Sequence, residues 1–332
     1  MEQRKTKGGC CLAFLVTILA AFMLIILLVD YGVDAVLGQI KRPGQEATLS
    51  EEEIQAIEQE TDDPHVDVED WTVPPGSAPL IEQGEQVINI LLIGQDRRGG
   101  TARQRSDTMI LCTIDPEAKT LVMTSFLRDL YVDIPDWNGR SYQDNRLNVC
   151  YALGGMGLLD AALRKNFGVE VDHNVEVDFS GFEEIVSQFG GVPVTLTKAE
   201  AEYLGGGLKE GVNHLDANQA LEFVRIRKLD SDFGRTERQR RLLNGMLSAM
   251  QKMSYNHQVK LINSILPMIT TDMTNEEITG YMLQFLPILW ELEVTTQHIP
   301  ASGTYRNASI RGMSVLVPDL DANIAILQDT LR

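Results

Sequence analysis

The chain has 332 residues, 44% of them apolar, and a formal net charge of −18, so it can hold one large domain or two small ones around an ordinary globular core. A chain this acidic is a poor match for general nucleic-acid binding, which needs a basic surface against the phosphate backbone. Its five histidines are scattered without ligand-like spacing, which argues against a zinc site or a histidine-based catalytic triad.

The N-terminal segment predicts a membrane anchor. Residues 11–29 form an uncharged, almost wholly apolar stretch of 19 residues, and a helix of that length just crosses a hydrocarbon core of about 30 Å. Basic residues precede the stretch and acidic ones follow it, so the positive-inside rule places residues 1–10 in the cytoplasm and the rest outside. A cleaved signal peptide is the alternative, but no A-x-A cleavage site follows the stretch. The sequence thus predicts a single-pass transmembrane helix.

Residues 30–86 are predicted to form an acidic extracytoplasmic stalk or linker. Residues 41–86 include thirteen acidic and two basic side chains, which gives this segment a net charge of −11. Prolines interrupt this segment and aromatic residues are few, which is typical of a linker. A weak helical pattern is confined to the region around residues 49–60.

From residue 87 onward the pattern predicts alternating strands and helices. Three short apolar runs, 87–94, 107–115 and 120–127, have the length and β-branched content of buried strands. Further strands are predicted at 175–179 and 192–196, and helices at 158–166, 182–189, 217–223, 242–253, 259–268, 275–286 and 319–331. Such alternation predicts an α/β fold, in which a mixed central β-sheet is flanked by helices on both faces. Residues 87–332 are predicted to form one domain.

Two carboxylates stand where the first two strands meet. Asp96 follows the first strand in IGQDRR, and Asp107 begins the second in RSDT. If these strands pair antiparallel, the end of one lies beside the start of the next. The carboxylates would then share one divalent cation, with a substrate phosphate completing the shell as Mg²⁺ prefers. In the alternative, one carboxylate caps a turn and the other pairs with Arg105.

Basic residues gather at two places. Arg128, in SFLRD, is delivered to the same sheet edge as the carboxylates if the strands run as predicted, and Arg146 is a further cation. The segment 221–243 holds seven basic residues: Arg225, Arg227, Lys228, Arg235, Arg238, Arg240 and Arg241. Guanidinium groups and a helix N-terminus suit a phosphate or pyrophosphate. The alternative is a solvated, salt-bridged helix.

Local patterns place the side chains of that basic segment. Arg225 and Arg227 share one side only if residues 224–228 are extended. Ser231 and Asp232 are good N-cap residues for a following helix, on which Arg235 and Gln239, four residues apart, share a face. Two pairs of polar side chains are thereby predicted to converge.

Cys112 and Cys150 leave two alternatives open. Outside the membrane two such cysteines can oxidise to a disulfide. Two buried free thiols are the other reading, because free cysteine is a common core residue.

Seven separated blocks carry a family resemblance. They are IGQDRR, RSDTMIL, SFLRD, RLNVCYALGG, VEVDFSGF, GGVPV and VRIRKLDSDFGRTERQ, all between residues 87 and 243. With them the chain resembles the LytR-CpsA-Psr (LCP) family of bacterial envelope proteins. The resemblance implies a membrane-anchored, extracytoplasmic phosphotransferase with an α/β/α catalytic domain. It would move an anionic glycopolymer (teichoic acid, capsule or secondary wall polysaccharide) from a polyprenyl-pyrophosphate carrier to the C6 hydroxyl of a peptidoglycan sugar.

The resemblance also implies roles for particular residues. Asp96 and Asp107 would hold Mg²⁺ or Mn²⁺ against the pyrophosphate. The pyrophosphate oxygens would be bound by Arg128, Arg146, Arg225, Arg227, Arg235 and Gln239. Arg146 stands where the family often has lysine. Arg105 and Asp232 match the remaining polar positions and, with Arg128, are predicted to be catalytic. Two alternatives are a polyprenyl-pyrophosphate hydrolase and a non-catalytic lipid-binding or regulatory module.

Overall fold

A computed structural model describes the larger part of the chain. The described residues are 37–43, 49–59, 62, 72–74, 76–95, 105–226, 229, 232–251, 253, 261, 264, 266–285, 288 and 292–331. Within them, no helix is long and apolar enough to cross a membrane. The predicted transmembrane helix at 11–29 lies outside the described residues.

Eight α-helices and twelve strands are found in the described residues. The helices are α1 (Glu51–Gln59), α2 (Leu147–Phe167), α3 (Phe179–Gln188), α4 (Lys198–Leu204), α5 (Ala217–Arg225), α6 (Asp232–Gln251), α7 (Asn275–Phe285) and α8 (Leu320–Thr330). The strands are β1 (Ile88–Gln95), β2 (Ser106–Asp115), β3 (Thr120–Phe126), β4 (Tyr131–Val132), β5 (Asn145–Arg146), β6 (His173–Asp178), β7 (Val192–Leu196), β8 (Gly211–Leu215), β9 (Ile269–Thr271), β10 (Glu293–Ile299), β11 (Tyr305–Ile310) and β12 (Met313–Pro318). The predicted α/β class is confirmed.

The central sheet has six strands in the order β10-β3-β2-β1-β6-β9. It is a mixed sheet flanked by helices. Seven of the eight β1 residues are buried, since both faces of this strand are covered. β1 and β2 pair antiparallel from Ile88↔Ile114 to Gln95↔Ser106, with an irregularity between Gly94 and Gln95. In sequence, Asp96 directly follows this irregular end of β1, and Asp107 is the second residue of β2.

The chain divides into two compact units. Unit I comprises Met1–Arg42, Pro116–Leu121 and Val177–Thr296, and unit II comprises Pro43–Asp115, Val122–Glu176 and Gln297–Arg332.

Unit II is built around α2, which packs against β2, α1 and α8. The ring of Trp137 lies over a glycine of this helix: a Cβ at Gly157 would be 2.6 Å from the ring. Any larger residue at 157 would push the tryptophan away. Gly155, at φ 66°, interrupts the helical conformation within α2. A second core forms where the β11–β12 hairpin buries Ile310, Met313, Val315 and Val317 with Val73 and Tyr131.

Unit I places α6 across β7 and packs α5 against α3, α4 and α6. The approach of α6 to β7 depends on Gly245, because a Cβ there would lie 2.0 Å from the Pro193 carbonyl oxygen. Two helices of this unit begin with capping boxes. Thr197 and Glu200 cap α4, and Asp216 and Gln219 cap α5. The side chains therefore satisfy amide groups that a helix start leaves unpaired.

Several local predictions are confirmed and others are wrong. The strands predicted at 87–94, 107–115, 120–127, 175–179 and 192–196 agree with β1, β2, β3, β6 and β7 to within two residues. The extended segment predicted at 224–228 is wrong at its first two residues, which complete α5. The helix predicted at 158–166 begins eleven residues earlier, at Leu147. No strand was predicted beyond residue 196, where the structure has β8 to β12.

Both cysteines of the domain are free and fully buried, each 0% exposed. This favours the buried-thiol alternative for Cys112 and Cys150. Burial also raises the pKa of the Cys150 thiol, so the reactive thiolate is scarce. We expect iodoacetamide to leave both cysteines unmodified in the folded protein and to modify both after denaturation without a reductant. Peptide mapping by mass spectrometry measures this, and a disulfide-linked pair of peptides would contradict it.

Candidate active site

The start of β2 brings one predicted carboxylate beside the end of β1. Ser106 pairs with Gln95 across the two strands, and Asp107 is the next residue of β2. Asp96, which directly follows Gln95, lies outside the described residues. The predicted adjacency of the two strand ends is therefore confirmed, whereas the position of the Asp96 carboxylate stays a prediction.

Arg128 reaches the same sheet edge and pairs with Asp107. It follows β3 by two residues, and its Nη1 lies 2.6 Å from Oδ1 of Asp107. Its Nε lies 3.4 Å from Oδ1 of Asp129. The arginine side chain is 15% exposed and that of Asp107 is 20% exposed, so both groups are mostly shielded yet accessible from solvent. Their Coulombic attraction is strengthened by this partial burial.

Arg146 continues this line of alternating charges. It ends β5, pairs with Tyr131 of β4 and is 8% exposed. Its Nε lies 4.0 Å from Oδ1 of Asp129, and its Nη2 donates to Oδ2 of Asp62. Asp129 therefore lies within ion-pair distance of two guanidinium groups, those of Arg128 and Arg146. Charged hydrogen bonds of this kind fix the direction of a guanidinium fork.

Asp62 joins the site from the predicted linker. Its Oδ2 accepts a 2.8 Å hydrogen bond from the Ser314 amide as well as the bond from Arg146. Burial raises the pKa of the Asp62 carboxyl. The hydrogen bond from the Ser314 amide and the positive charges of Arg146 and Arg105 lower this pKa by more, so the net shift is downward. The carboxylate thus stays charged against these cations at neutral pH.

The linker helix α1 also contacts two arginines of unit II, of which Arg105 is a predicted site residue. Nη2 of Arg105 donates to the Ile57 carbonyl at 3.2 Å. At the other end of α1, Oε2 of Glu51 accepts a 2.6 Å bond from Nη1 of Arg140. The weak helical pattern near residues 49–60 therefore marks a real helix, and this helix is bonded to Arg105 and Arg140.

Unit I carries the other predicted phosphate ligands. Arg225 is the last residue of α5 and is half-buried. On α6, Arg235 is 5% exposed and Gln239 is half-buried, and their four-residue spacing puts them on one helix face. The start of α6 at Asp232 agrees with the predicted N-terminus. Arg227 and the Asp232 side chain lie outside the described residues, so their roles stay predictions.

Sequence reasoning missed a buried acid in unit I. Glu200, 3% exposed, accepts a 2.9 Å bond from Nε of Arg238 and a 3.0 Å bond from Nη1 of Arg241. Burial raises the pKa of Glu200, but Arg241, the Thr197 amide and Arg238 outweigh it and lower the pKa to about 2. The T-x-x-E capping box at 197–200 was the available signal. It predicts a helix start but not the two arginines.

Replacing Glu200 by glutamine should destabilise the protein by about 3 kcal/mol at pH 7. Glutamine can preserve the capping box, but the nearly inaccessible Arg238 loses its counter-ion. The folded-state pKa of Glu200 lies below its ordinary 4.5, so its stabilisation is complete above about pH 4.5 and is lost towards pH 2. Urea unfolding should therefore show the two proteins converging as the pH falls below 4.5. Glu202→Gln, on the same helix with a 69% exposed side chain, is the control and should stay near wild type.

The oxygen donors of this edge fit a hard divalent cation. Asp107 offers a partly exposed carboxylate at the start of β2, and such oxygens are what Mg²⁺ and Mn²⁺ prefer. Within the described residues, no group of three or more His, Cys, Asp or Glu side chains could hold a metal ion. Substrate phosphate and water would have to supply most of the ligands, which is ordinary for Mg²⁺ in phosphoryl-transfer sites.

Comparison with known proteins agrees with this fold. Residues 45–328 match the LytR_cpsA_psr family. The regulatory protein MsrR of Staphylococcus aureus is 30% identical over 239 residues, which cover 70% of this chain and 70% of MsrR. The polyisoprenyl-teichoic acid–peptidoglycan teichoic acid transferase TagU of Bacillus cereus is 36% identical over 162 residues, or 48% of this chain and 52% of TagU.

A solved structure shows the same fold. TagT bound to LIIa-WTA superposes with a TM-score of 0.58 at 23% identity, covering 80% of this chain and 98% of TagT. An α/β domain in which arginines and carboxylates pair beside the start of β2 is the class that these observations define. The chain belongs to the LytR_cpsA_psr family.

Proposed function

We propose that this protein transfers an anionic glycopolymer from a polyprenyl-pyrophosphate carrier to peptidoglycan. The observation that carries the proposal is the line of alternating charges beside the start of β2, formed by Asp107, Arg128, Asp129 and Arg146, in which Asp107 and Arg128 are partly exposed. Guanidinium forks bind phosphate oxygens in two-point contacts, and a neighbouring carboxylate can hold a divalent cation. Transfer from a pyrophosphate needs such cationic side chains and a metal ion to position and neutralise the phosphate oxygens.

The names of two relatives support the same reaction class. TagU is named as a transferase that joins teichoic acid to peptidoglycan, and TagT has been solved with LIIa-WTA bound. A teichoic acid is accordingly one glycopolymer that this protein would accept, alongside capsule and secondary wall polysaccharide. Each of these polymers presents the same pyrophosphate to the site.

Pyrophosphate binding is assigned to the residues predicted from the resemblance: Arg128, Arg146, Arg225, Arg227, Arg235 and Gln239. In unit II, the carboxylates that now hold Arg128 and Arg146 keep both forks aligned before substrate arrives. A phosphate oxygen can replace a carboxylate oxygen as a guanidinium partner, because both are negatively charged hydrogen-bond acceptors that the planar guanidinium fork can bind at two points. Alignment of this kind accounts for most of the catalysis that a protein gives to phosphoryl transfer.

The reaction follows from these positions. The C6 hydroxyl oxygen of a peptidoglycan sugar attacks the glycan-linked phosphorus in line with the bridging oxygen. A phosphodiester P–O bond forms, the P–O bond to the bridge breaks, and polyprenyl monophosphate leaves with the electron pair. The hydroxyl proton goes to a base, for which Asp232 and Asp96 are candidates. Mg²⁺ or Mn²⁺, held by Asp107 and Asp96, would neutralise negative charge on the pyrophosphate. The arginines stabilise the charge that grows on the leaving oxygens.

The proposed location follows from the sequence. Residues 11–29 would anchor the protein in the cell membrane, with residues 1–10 in the cytoplasm and 30–86 as the linker to an extracytoplasmic catalytic domain at 87–332. A membrane anchor would keep the active site near the lipid carrier, whose polyprenyl chain stays in the bilayer. Both substrates, lipid-linked glycan and peptidoglycan, would then meet at the outer surface of the cell membrane.

Mass spectrometry of the reaction products tests the proposal. The full-length chain in detergent is given Mg²⁺, a polyprenyl-pyrophosphate glycan and peptidoglycan oligomers. A phosphodiester-linked glycan–peptidoglycan product supports the transferase. Release of glycan phosphate alone would replace it with a hydrolase, and binding of the lipid without turnover would leave only a lipid-binding module.

A further inference from the structure

Arg238 is a buried arginine to which the proposed reaction assigns no role. Only 1% of it is exposed, and it is the largest of the fully buried side chains among the described residues. It lies on α6 between Arg235 and Gln239, the two predicted phosphate ligands of that helix. Burying a guanidinium group is costly unless hydrogen bonds and a counter-ion compensate it. Its contacts therefore show what the position is used for.

Those contacts connect three elements of unit I. Nε of Arg238 donates to Oε1 of Glu200 on α4 at 2.9 Å. Nη1 donates to the Ile226 carbonyl oxygen, also at 2.9 Å. Ile226 follows the last residue of α5 and has left the helical conformation, with ψ at 123°. Its carbonyl belongs to the helix end, where acceptors lack partners within the helix and attract a positive charge.

Ile226 is the residue between Arg225 and Arg227. We propose that Arg238 is a positioning residue, which holds the main chain between these two pyrophosphate-binding arginines by donating to the Ile226 carbonyl. This inference rests on the proposed function for the identity of the ligand. The anchoring itself rests only on contacts within unit I.

Glu200 makes the anchor rigid. It is fixed by its own capping box with Thr197 and by Arg241, whose Nη1 also donates to the Thr195 carbonyl at 2.8 Å. The low pKa of Glu200, about 2, keeps the carboxylate charged throughout the pH range in which the protein would act. Arg238 thus spans a fixed carboxylate and the chain that carries Arg225. Lysine cannot replace it, because a single ammonium lacks the planar fork that donates in two set directions.

Arg241 offers a matched control. It lies one helical turn beyond Arg238, is also an arginine and shares the Glu200 carboxylate. It differs in the carbonyl that it binds, Thr195 in place of Ile226. The Arg241 guanidinium also lies over the Phe223 ring of α5, 5.1 Å from its centroid, and a lysine ammonium can keep a cation–π contact of this kind. Arg238→Lys and Arg241→Lys therefore both weaken contacts to Glu200, but only the first removes a hydrogen bond to the chain beside Arg225.

Hydrogen exchange tests the anchor without any ligand. In the full-length chain in detergent, Arg238→Lys should speed amide exchange in peptides covering residues 221–229, and Arg241→Lys should leave those peptides near wild type. Equal exchange in both variants would overturn the anchoring role. Thermal unfolding of both variants shows whether a change is local or results from general destabilisation.

Binding of geranylgeranyl pyrophosphate with Mg²⁺, measured by calorimetry, tests the link to function. We expect Arg238→Lys to raise the dissociation constant about tenfold, and Arg241→Lys to change it less than twofold. In the Arg225→Ala background the effect of Arg238→Lys should be smaller, because coupled residues are not additive. Additive losses, or equal affinity in both lysine variants, would overturn the link. A wild-type protein that does not bind the probe would instead refute the proposed function, while the exchange result still decides the anchor.

Discussion

Replacing Arg225 by alanine should lower the rate of glycopolymer transfer about 100-fold. Arg225 ends α5 and is half-buried. Its guanidinium group is therefore partly shielded from water, and this shielding makes its bonds to pyrophosphate oxygens stronger than they would be on an open surface. Those bonds would strengthen further as charge develops on the leaving phosphate. The measurement is the initial rate of phosphodiester product in the reaction described above.

The matched control for this change is Arg164→Ala. Arg164 is also an arginine near the end of a helix, but its side chain is 58% exposed and pairs with Glu170 at 3.3 Å on the surface. It should transfer glycan at the wild-type rate, since exposed ion pairs contribute little. Both variants should melt within a few degrees of wild type. If Arg225→Ala also transfers at the wild-type rate, Arg225 is not a pyrophosphate ligand.

The strands that carry the candidate site were predictable from the sequence. β1, β2 and β3 are short apolar runs, and a strand buried on both faces has no polar alternation to obscure it. The Asp115-Pro116 turn joins the second and third, so antiparallel neighbours follow from chain connectivity. That topology places Arg128 beside Asp107, and the 2.6 Å pair is its result.

The β11–β12 hairpin was missed because its turn has no sequence signal. The turn is formed by Arg311 and Gly312, both at positive φ, at 50° and 72°. Turns of this kind normally carry Asn-Gly or Asp-Gly, because arginine seldom adopts positive φ. Apolar residues at every second position, Met313, Val315 and Val317, were the remaining sequence signal for a strand, and the structure buries all three.

The error at residues 224 and 225, the first two of the predicted extended segment, has a different cause. The prediction followed the two-residue spacing of Arg225 and Arg227, which is a strand period. The buried residues Ala220, Leu221, Phe223 and Val224 instead repeat with a helical period. Burial of this apolar face decides the local structure, so α5 continues through Arg225.

Two contacts of the candidate site lie beyond what spacing can predict. Arg146 pairs with Asp62, which is 84 residues away in the chain, and Arg238 pairs with Glu200, 38 residues away. Charged residues are abundant in both regions, so many pairings are compatible with the sequence. Tertiary packing decides which pair forms. Ion pairs exposed to water differ little in free energy, whereas a buried charge needs its partner.

Replacing Asp107 by asparagine should raise the Mg²⁺ concentration needed for half-maximal transfer at least about tenfold. Asparagine keeps the size of the side chain and an oxygen that can still accept a bond from Arg128, so the sheet edge should stay folded. It removes the negative charge that a hard divalent cation requires. The structure gives the carboxylate a competing partner, Arg128 at 2.6 Å, so the cation and the arginine would share its oxygens.

Asp115→Asn separates a metal effect from a general loss of charge. Asp107 is the second residue of β2 and Asp115 is its last, so the same change at the other end of the strand alters the net charge equally. It should leave the Mg²⁺ titration unchanged. An Asp107→Asn titration that coincides with wild type would remove this carboxylate from the metal shell, and the ion pair with Arg128 would then be its whole role. A shifted titration at saturating lipid, with the maximal rate restored by excess Mg²⁺, would assign the metal to the start of β2, because a weakened cation site is refilled when the cation's concentration is raised, whereas a lost catalytic group is not.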